Sequence, residues 1–207
     1  MMRSVALIIA GLVLSAALSA SAQPLPKMPP GISDLRQIAA GTYTVDPFHS
    51  QVAFTVNHLG FSNYHGMFGN LTGRMAIDPK VPAKAKVSID IPISKVVTTV
   101  DELNTQLLSD AFFDAAKYPT AHFEAISIKP MGKKARISGN LTLKGVTRPV
   151  VLDATFVGAG VMMGKRTVGF DATTVIKRSE FNILNGIPLI PDEVPLTIAV
   201  AFEKSEK

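Results

Sequence analysis

The sequence predicts an all-β protein: an antiparallel barrel of about eight long strands with one inserted helix. Three observations carry this. Apolar and polar residues alternate with a period of two through segment after segment between residues 42 and 203. Glycines fall inside the long runs, where a sheet must bend. One stretch only, residues 99–109, changes to helical spacing. Clean alternation gives each strand one wet and one dry face, which a sandwich or a barrel satisfies. The strand lengths and internal glycines favour the barrel.

The N-terminus is set apart from that fold. Arg3 precedes an apolar run from Val5 to Leu14, and Ala20-Ser21-Ala22 has the small-x-small form of a cleavage site. Together these read as a secretory signal peptide over residues 1–22, cleaved near Ala22, which implies a periplasmic or secreted protein. Ser15 and Ser19 interrupt the run, which is short for a span of about 20 apolar residues. No later stretch is long and apolar enough to cross a bilayer. The chain has no cysteine, so neither a disulfide nor attachment of a lipid through sulfur enters the argument. Residues 23–41 carry Pro24, Pro26, Pro29, Pro30 and Gly31 and read as an extended, flexible lead-in. One domain, residues 42–207, remains.

Residues 50–58 form the first long strand, with Val52, Phe54 and Val56 on one face and Gln51, Thr55 and Asn57 on the other. Residues 65–77 form the next, bent at Gly66, Gly69 and Gly73. Asp78-Pro79 and Val81-Pro82 break it. The run 86–93 places Val87, Ile89, Ile91 and Ile93 on one face, with Pro92 near its end. In residues 99–109, Thr99 and Glu102 have capping-box spacing, and Leu103, Leu107 and Leu108 suit a helix. An apolar, turn-rich plug with Phe112 and Phe113 follows, ended by Pro119. Strands resume at 121–129, 134–143, 147–157, 165–177 and 194–203. Turn signals lie between them at Pro130 with Gly132, Gly145, Gly158 with Gly160, and Asn185-Gly186.

Net charge is +5. The basic residues are dispersed and lack the interleaved aromatics of a nucleic-acid groove, so no nucleic-acid partner is expected. Mild attraction to an anionic membrane face stays open. His49, His58, His65 and His122 form no metal-ligand spacing, and no metal or cofactor is expected. His58, where the first apolar row ends, reads more readily as a surface or hydrogen-bonding histidine. There is no G-x-S-x-G, the acidic residues sit mostly at turns or on polar faces, and "GNLTG" lacks phosphate-loop spacing. Lys144 and Arg148 around Gly145 read as a turn with solvated charges. What remains is the apolar interior: Val52, Phe54, Val56, Val87, Ile89, Ile91, Phe123, Leu141, Leu143, Phe170 and Phe202, with Phe112 and Phe113 from the plug. A packed core and a lined cavity fit this pattern equally.

Five blocks carry a resemblance: "YTVDPFHSQVAFTVNHLGFSNYHGMFGNLTG", "SDAFFDAAKYPTAHFEA", "GNLTLKGVTRPVVL", "GFDATTVIKRSEFNI" and "DEVPLTIAVAFE". In this order, over residues 42–203, they resemble the YceI-like family of bacterial secreted proteins. The resemblance implies a lipocalin-like barrel with a long apolar tunnel. It implies a non-enzymatic role of carrying or storing a polyisoprenoid or other long-chain amphiphile. His49 to Gly60 match the family's H-S-x-V-x-F-x-V-x-H-L-G block, Phe112-Phe113-Asp114 its F-F-D block, and Leu141 to Thr147 its L-T-L-x-G-V-T block. Lys177 to Phe181 match its K-R-S-D-F block, with Glu180 for Asp. Where members often carry R-D-x-H-L, this chain has Leu103-Asn104-Thr105-Gln106-Leu107, so head-group chemistry there is expected to differ. His58 and Arg178 are the expected head-group contacts. A lipid-modifying enzyme using His58 and a ligand-free filled barrel are the competing readings; a homodimer is left open.

Overall fold

Eight antiparallel staves close into a barrel, and each of the first three is broken in the middle. This computed structural model describes residues 26–205; the expected signal peptide, residues 1–22, lies outside the described residues. The first stave is β1 (Gly41–Val45) followed by β2 (Gln51–His58). Both pair with the last strand, β11 (Glu193–Lys204): Val45 opposite Phe202, and Val52 opposite Ile198. The second stave is β3 (Ser62–Phe68), paired with β2, and β4 (Thr72–Ile77), paired with β1. The third is β5 (Lys86–Pro92) against β4 and the short β6 (Val96–Val97) against β3. Long unbroken strands complete the barrel: β7 (Thr120–Met131), β8 (Lys134–Leu143), β9 (Val146–Met162) and β10 (Lys165–Lys177), which pairs with β11.

The continuous strand expected over 65–77 is therefore two collinear pieces. Asn70 adopts a left-handed backbone, φ 57°, and Leu71 drops into the core at 1% exposure. The expected helix is present as α1 (Asp101–Leu108), but its capping box does not form: Val100 is the cap residue and supplies no side chain. Asn104 secures this end instead. Its Oδ1 accepts hydrogen bonds from the Thr98 backbone N–H at 2.6 Å and the Thr98 hydroxyl at 2.8 Å. Asp101 and Glu102 in the first turn complement the helix dipole.

The two barrel ends are built differently. One carries the β2–β3 hairpin, α1, the plug and the long loop after β10. The other carries the β4–β5 loop, the β7–β8 and β9–β10 hairpins, and the lead-in. The last part of the lead-in packs on the barrel. Ile32 makes an antiparallel bridge to Ala159, Ile38 is buried, and the Arg166 guanidinium donates to the Gln37 carbonyl at 3.2 Å. This corrects the reading of Gly158 and Gly160 as a turn, since both lie inside β9. The segment Pro30–Ile32 crosses them, and a Cβ on Gly160 would collide with the Pro30 carbonyl. The turn itself is Met163-Gly164, both at positive φ.

Aromatic rings fill the interior near the plug. Phe54 meets Phe68 at 5.8 Å between centroids, and Phe68 meets Phe113 edge-on at 5.4 Å. Gly66 lies opposite Phe54 across the β2–β3 pair, and the Phe54 ring occupies the space a Cβ there would need. Gly66→Ala is therefore expected to destabilise the fold by about 1–3 kcal/mol through overpacking. Adding Phe54→Leu recovers part of the loss, because the two positions share one space. Urea unfolding of both variants checks this; additive losses would contradict it.

Candidate ligand-binding cavity

Beyond that aromatic cluster the barrel is not filled. A cavity of about 210 Å³ runs into it from the opposite end, far more than the roughly 10–15 Å³ that holds one water on the same measure. The reason is side-chain size. Midway along the barrel the inward positions of paired strands are small: Ala154 lies opposite Ala172, with Ile198 and Val52 next across the sheet, and these cannot reach across the bore of an eight-stranded barrel. Phe156, Phe170 and Phe202 line the wall as a second cluster, with centroid separations of 5.8 and 6.3 Å. Phe54 and Phe170 belong to different clusters with the cavity in the second, so the ligand-free filled barrel is not the architecture found.

Val52, Val87, Ile89, Ile91, Phe123, Leu141, Phe170 and Phe202 all line this cavity. The other expected contacts do not. Phe54, Val56, Phe112, Phe113 and Leu143 pack within the core at the plugged end and form the floor beneath the cavity. Of the long apolar tunnel that the resemblance implies, the cavity occupies the part beyond these residues. His58 is exposed at the tip of β2, outside the wall.

Arg178 leaves the wall for a stronger reason. It is 7% exposed, and its guanidinium donates to four backbone carbonyls: Pro191 at 2.9 Å, Ile183 at 3.1 Å, Asn185 at 2.7 Å and Ile190 at 2.9 Å. Burial pushes its pKa down, and Asp192 works against that. Asp192 accepts from the Ser179 hydroxyl at 2.7 Å and the Ser179 N–H at 2.8 Å. These hydrogen bonds hold its carboxyl below the usual carboxylate range. Arg178 is a clamp on the loop 182–192, with four of its five N–H donors spent on that loop. Lys144 joins the same structure, donating to Asp110 O at 2.9 Å and Asn182 O at 3.2 Å.

Several wall residues were not singled out from the sequence. Leu71, Met75, Phe156 and Ala172 line the cavity; of these Phe156 was reachable by parity within its strand, whereas Leu71 sits in the break between β3 and β4. Leu35 and Ile38 come from the lead-in, whose proline content concealed them. The polar side chains in the wall are Thr174 and, at the mouth, Lys133 and Lys134. Among the described residues no cluster of His, Cys, Asp or Glu could hold a metal ion.

A closed antiparallel barrel around one deep apolar cavity is of the lipocalin-like class. A family model described as the YceI-like domain matches residues 43–202, and the chain belongs to that family. Protein YceI of Escherichia coli O6:H1 is 38% identical over 164 residues, covering 78% of this chain and 86% of that protein. Among solved structures, BcnA of Burkholderia cenocepacia superposes with a TM-score of 0.69 at 27% identity, covering 76% of this chain and 98% of that one. A polyisoprenoid-binding domain from Saccharophagus degradans shares the fold, with a TM-score of 0.59 at 18% identity over 79% of this chain and 98% of that domain.

Two outcomes follow for the clamp. Arg178→Lys lacks the planar fork and leaves buried carbonyls without donors, so it is expected to cost about 2–4 kcal/mol in urea unfolding. Asp192 has a folded pKa below its unfolded value of about 3.9. Its contribution is present above about pH 4 and is lost as pH falls through the folded value. Asp192→Asn should therefore shrink the fall in unfolding midpoint between about pH 5 and pH 2; an unchanged acid limb would show that Asp192 contributes nothing to it.

Proposed function

We propose that this protein is a secreted, non-catalytic carrier that holds the long apolar chain of a polyisoprenoid or acyl amphiphile inside its barrel. The observation that supports this is the cavity: deep, walled almost wholly by hydrocarbon, and open at one end. Each methylene moved from water into it is worth about 0.8 kcal/mol, so affinity grows with chain length until the floor of Phe54, Phe68 and Phe113 is met. The Saccharophagus degradans relative of the same fold is described as polyisoprenoid-binding, which agrees with this reading. The reading of a lipid-modifying enzyme finds no support in the wall, which offers no carboxylate, imidazole or paired nucleophile. Export through the N-terminal signal accounts for a carrier whose cargo is too insoluble to diffuse alone.

Native mass spectrometry with added farnesol and palmitate tests the function. A one-to-one complex with either probe is expected. Ala172 is buried in the cavity wall, and Ala172→Phe fills the space. It should weaken binding about tenfold or more, equivalent to 1.4 kcal/mol, while the thermal midpoint holds. His58→Ala should bind as the unaltered protein does. A chain that flies empty and takes up neither probe defeats the proposal.

A further inference from the structure

The mouth of the cavity has a composition its walls do not. The loop and hairpin residues that line it come from one end: Leu35 of the lead-in, Pro82 and Ala85 after β4, and Gly132, Lys133 and Lys134 at the β7–β8 hairpin. Lys133 and Lys134 are adjacent in sequence, exposed, and placed where the apolar wall meets water. Among the described residues, neither ammonium is engaged in a hydrogen bond or ion pair within the chain. The carboxylate that Lys133 faces is Asp34, and Asp34 is occupied by Arg36, whose Nε and Nη2 reach it at 2.7–3.1 Å. Lys84 and Lys86, with the single carboxylate Asp78, border an adjoining groove that shares Ile77 with the cavity, so lysines outnumber carboxylates on that side of the opening too. At the opposite end Arg178 and Lys144 are bound to backbone carbonyls, and the aromatic floor blocks the way.

From this asymmetry we infer that the amphiphile enters tail first and that its head group is an anion, a phosphate or a carboxylate, held at the mouth by Lys133 and Lys134. This rests on the carrier reading and sharpens it: the cavity selects for a chain, and the rim selects among chains by charge. A neutral alcohol of the same chain fills the cavity equally but leaves both ammonium groups to water. An ion pair at a partly desolvated rim is stronger than one in bulk water and weakens with salt.

Farnesyl phosphate, farnesol and inorganic phosphate are titrated by calorimetry against the unaltered protein, the double variant Lys133→Ala/Lys134→Ala, and the double variant Lys133→Arg/Lys134→Arg. Farnesyl phosphate is expected to bind about tenfold or more tighter than farnesol, a gap of 1.4 kcal/mol, and inorganic phosphate far more weakly than either. The alanine pair should bring the two prenyl probes to within about threefold by weakening the phosphate alone, and the arginine pair should keep the gap, since charge is retained. Equal binding of the two prenyl probes, or a gap that survives in the alanine pair, overturns the inference and leaves the carrier reading standing. Inorganic phosphate binding as tightly as farnesyl phosphate also overturns it, because the tail would then contribute nothing. Failure of both prenyl probes overturns the inference, and the carrier reading falls with it only where palmitate also fails to bind.

Discussion

Everything in this molecule depends on β11 pairing with both halves of the first stave. Because β1 and β2 lie end to end along one strand, the sheet returns to itself, and the two-residue β6, paired with β3, is left at its edge. Closure removes an aggregation-prone edge. It also creates an inside: a dry bore whose contents are decided by the inward side chains alone. Breaking the first three staves keeps their pairing while letting the chain dip inward at each break. Leu71 and Ile93, among the most buried side chains, sit in the second and third of those breaks.

The bore is then divided by side-chain size. Phenylalanines from β2, β3 and the plug interlock at one end, and Gly66 gives up its own side chain so that Phe54 can lie across. Midway along the bore the inward positions become Ala and Val, and beyond them the rings of Phe156, Phe170 and Phe202 line the wall. Hydrophobic burial stabilises both halves against unfolding, but only the second leaves apolar surface that another molecule can cover. The protein is thus a packed core and a binding pocket in series, made from one sheet.

The strands of this fold were legible because alternation is a direct record of a two-faced sheet. Ile137, Leu141, Ile198, Val200 and Phe202 face inward as their parity says. What alternation does not encode is how far along the barrel axis a residue sits. Phe54 and Val52 share a face of β2, yet one packs in the floor and the other lines the cavity, because depth depends on which staves lie opposite. Gly158 and Gly160 misled for a related reason. A glycine that admits a crossing chain and one that makes a turn look alike until the crossing chain, here Pro30–Ile32, is known to be there. The prolines of the lead-in suggest an undocked segment, whereas its apolar residues Ile32, Leu35 and Ile38 are the signal that it docks. The family blocks fixed the architecture but not the duty of each residue: the arginine of "IKRSEF" belongs to a clamp.

Polar chemistry is distributed along the same axis as size. At the plugged end several polar groups are taken up by structural partners: Asn104 holds Thr98, Arg178 holds the carbonyls of the loop 182–192, Asp192 holds Ser179, and Lys144 ties the plug to Asn182. Asn104 and Gln106 stand where relatives often carry Asp and His, and in this chain Asn104 is occupied in fixing α1 to the strand before it. A buried polar group that is fully satisfied within the protein has nothing left to give a ligand. The charged groups that line the cavity are those at the opposite end, where hairpin lysines stand at the edge of a hydrocarbon wall. An amphiphile has the same division, one end that water rejects and one that it does not. The barrel matches it in order: floor, wall, rim.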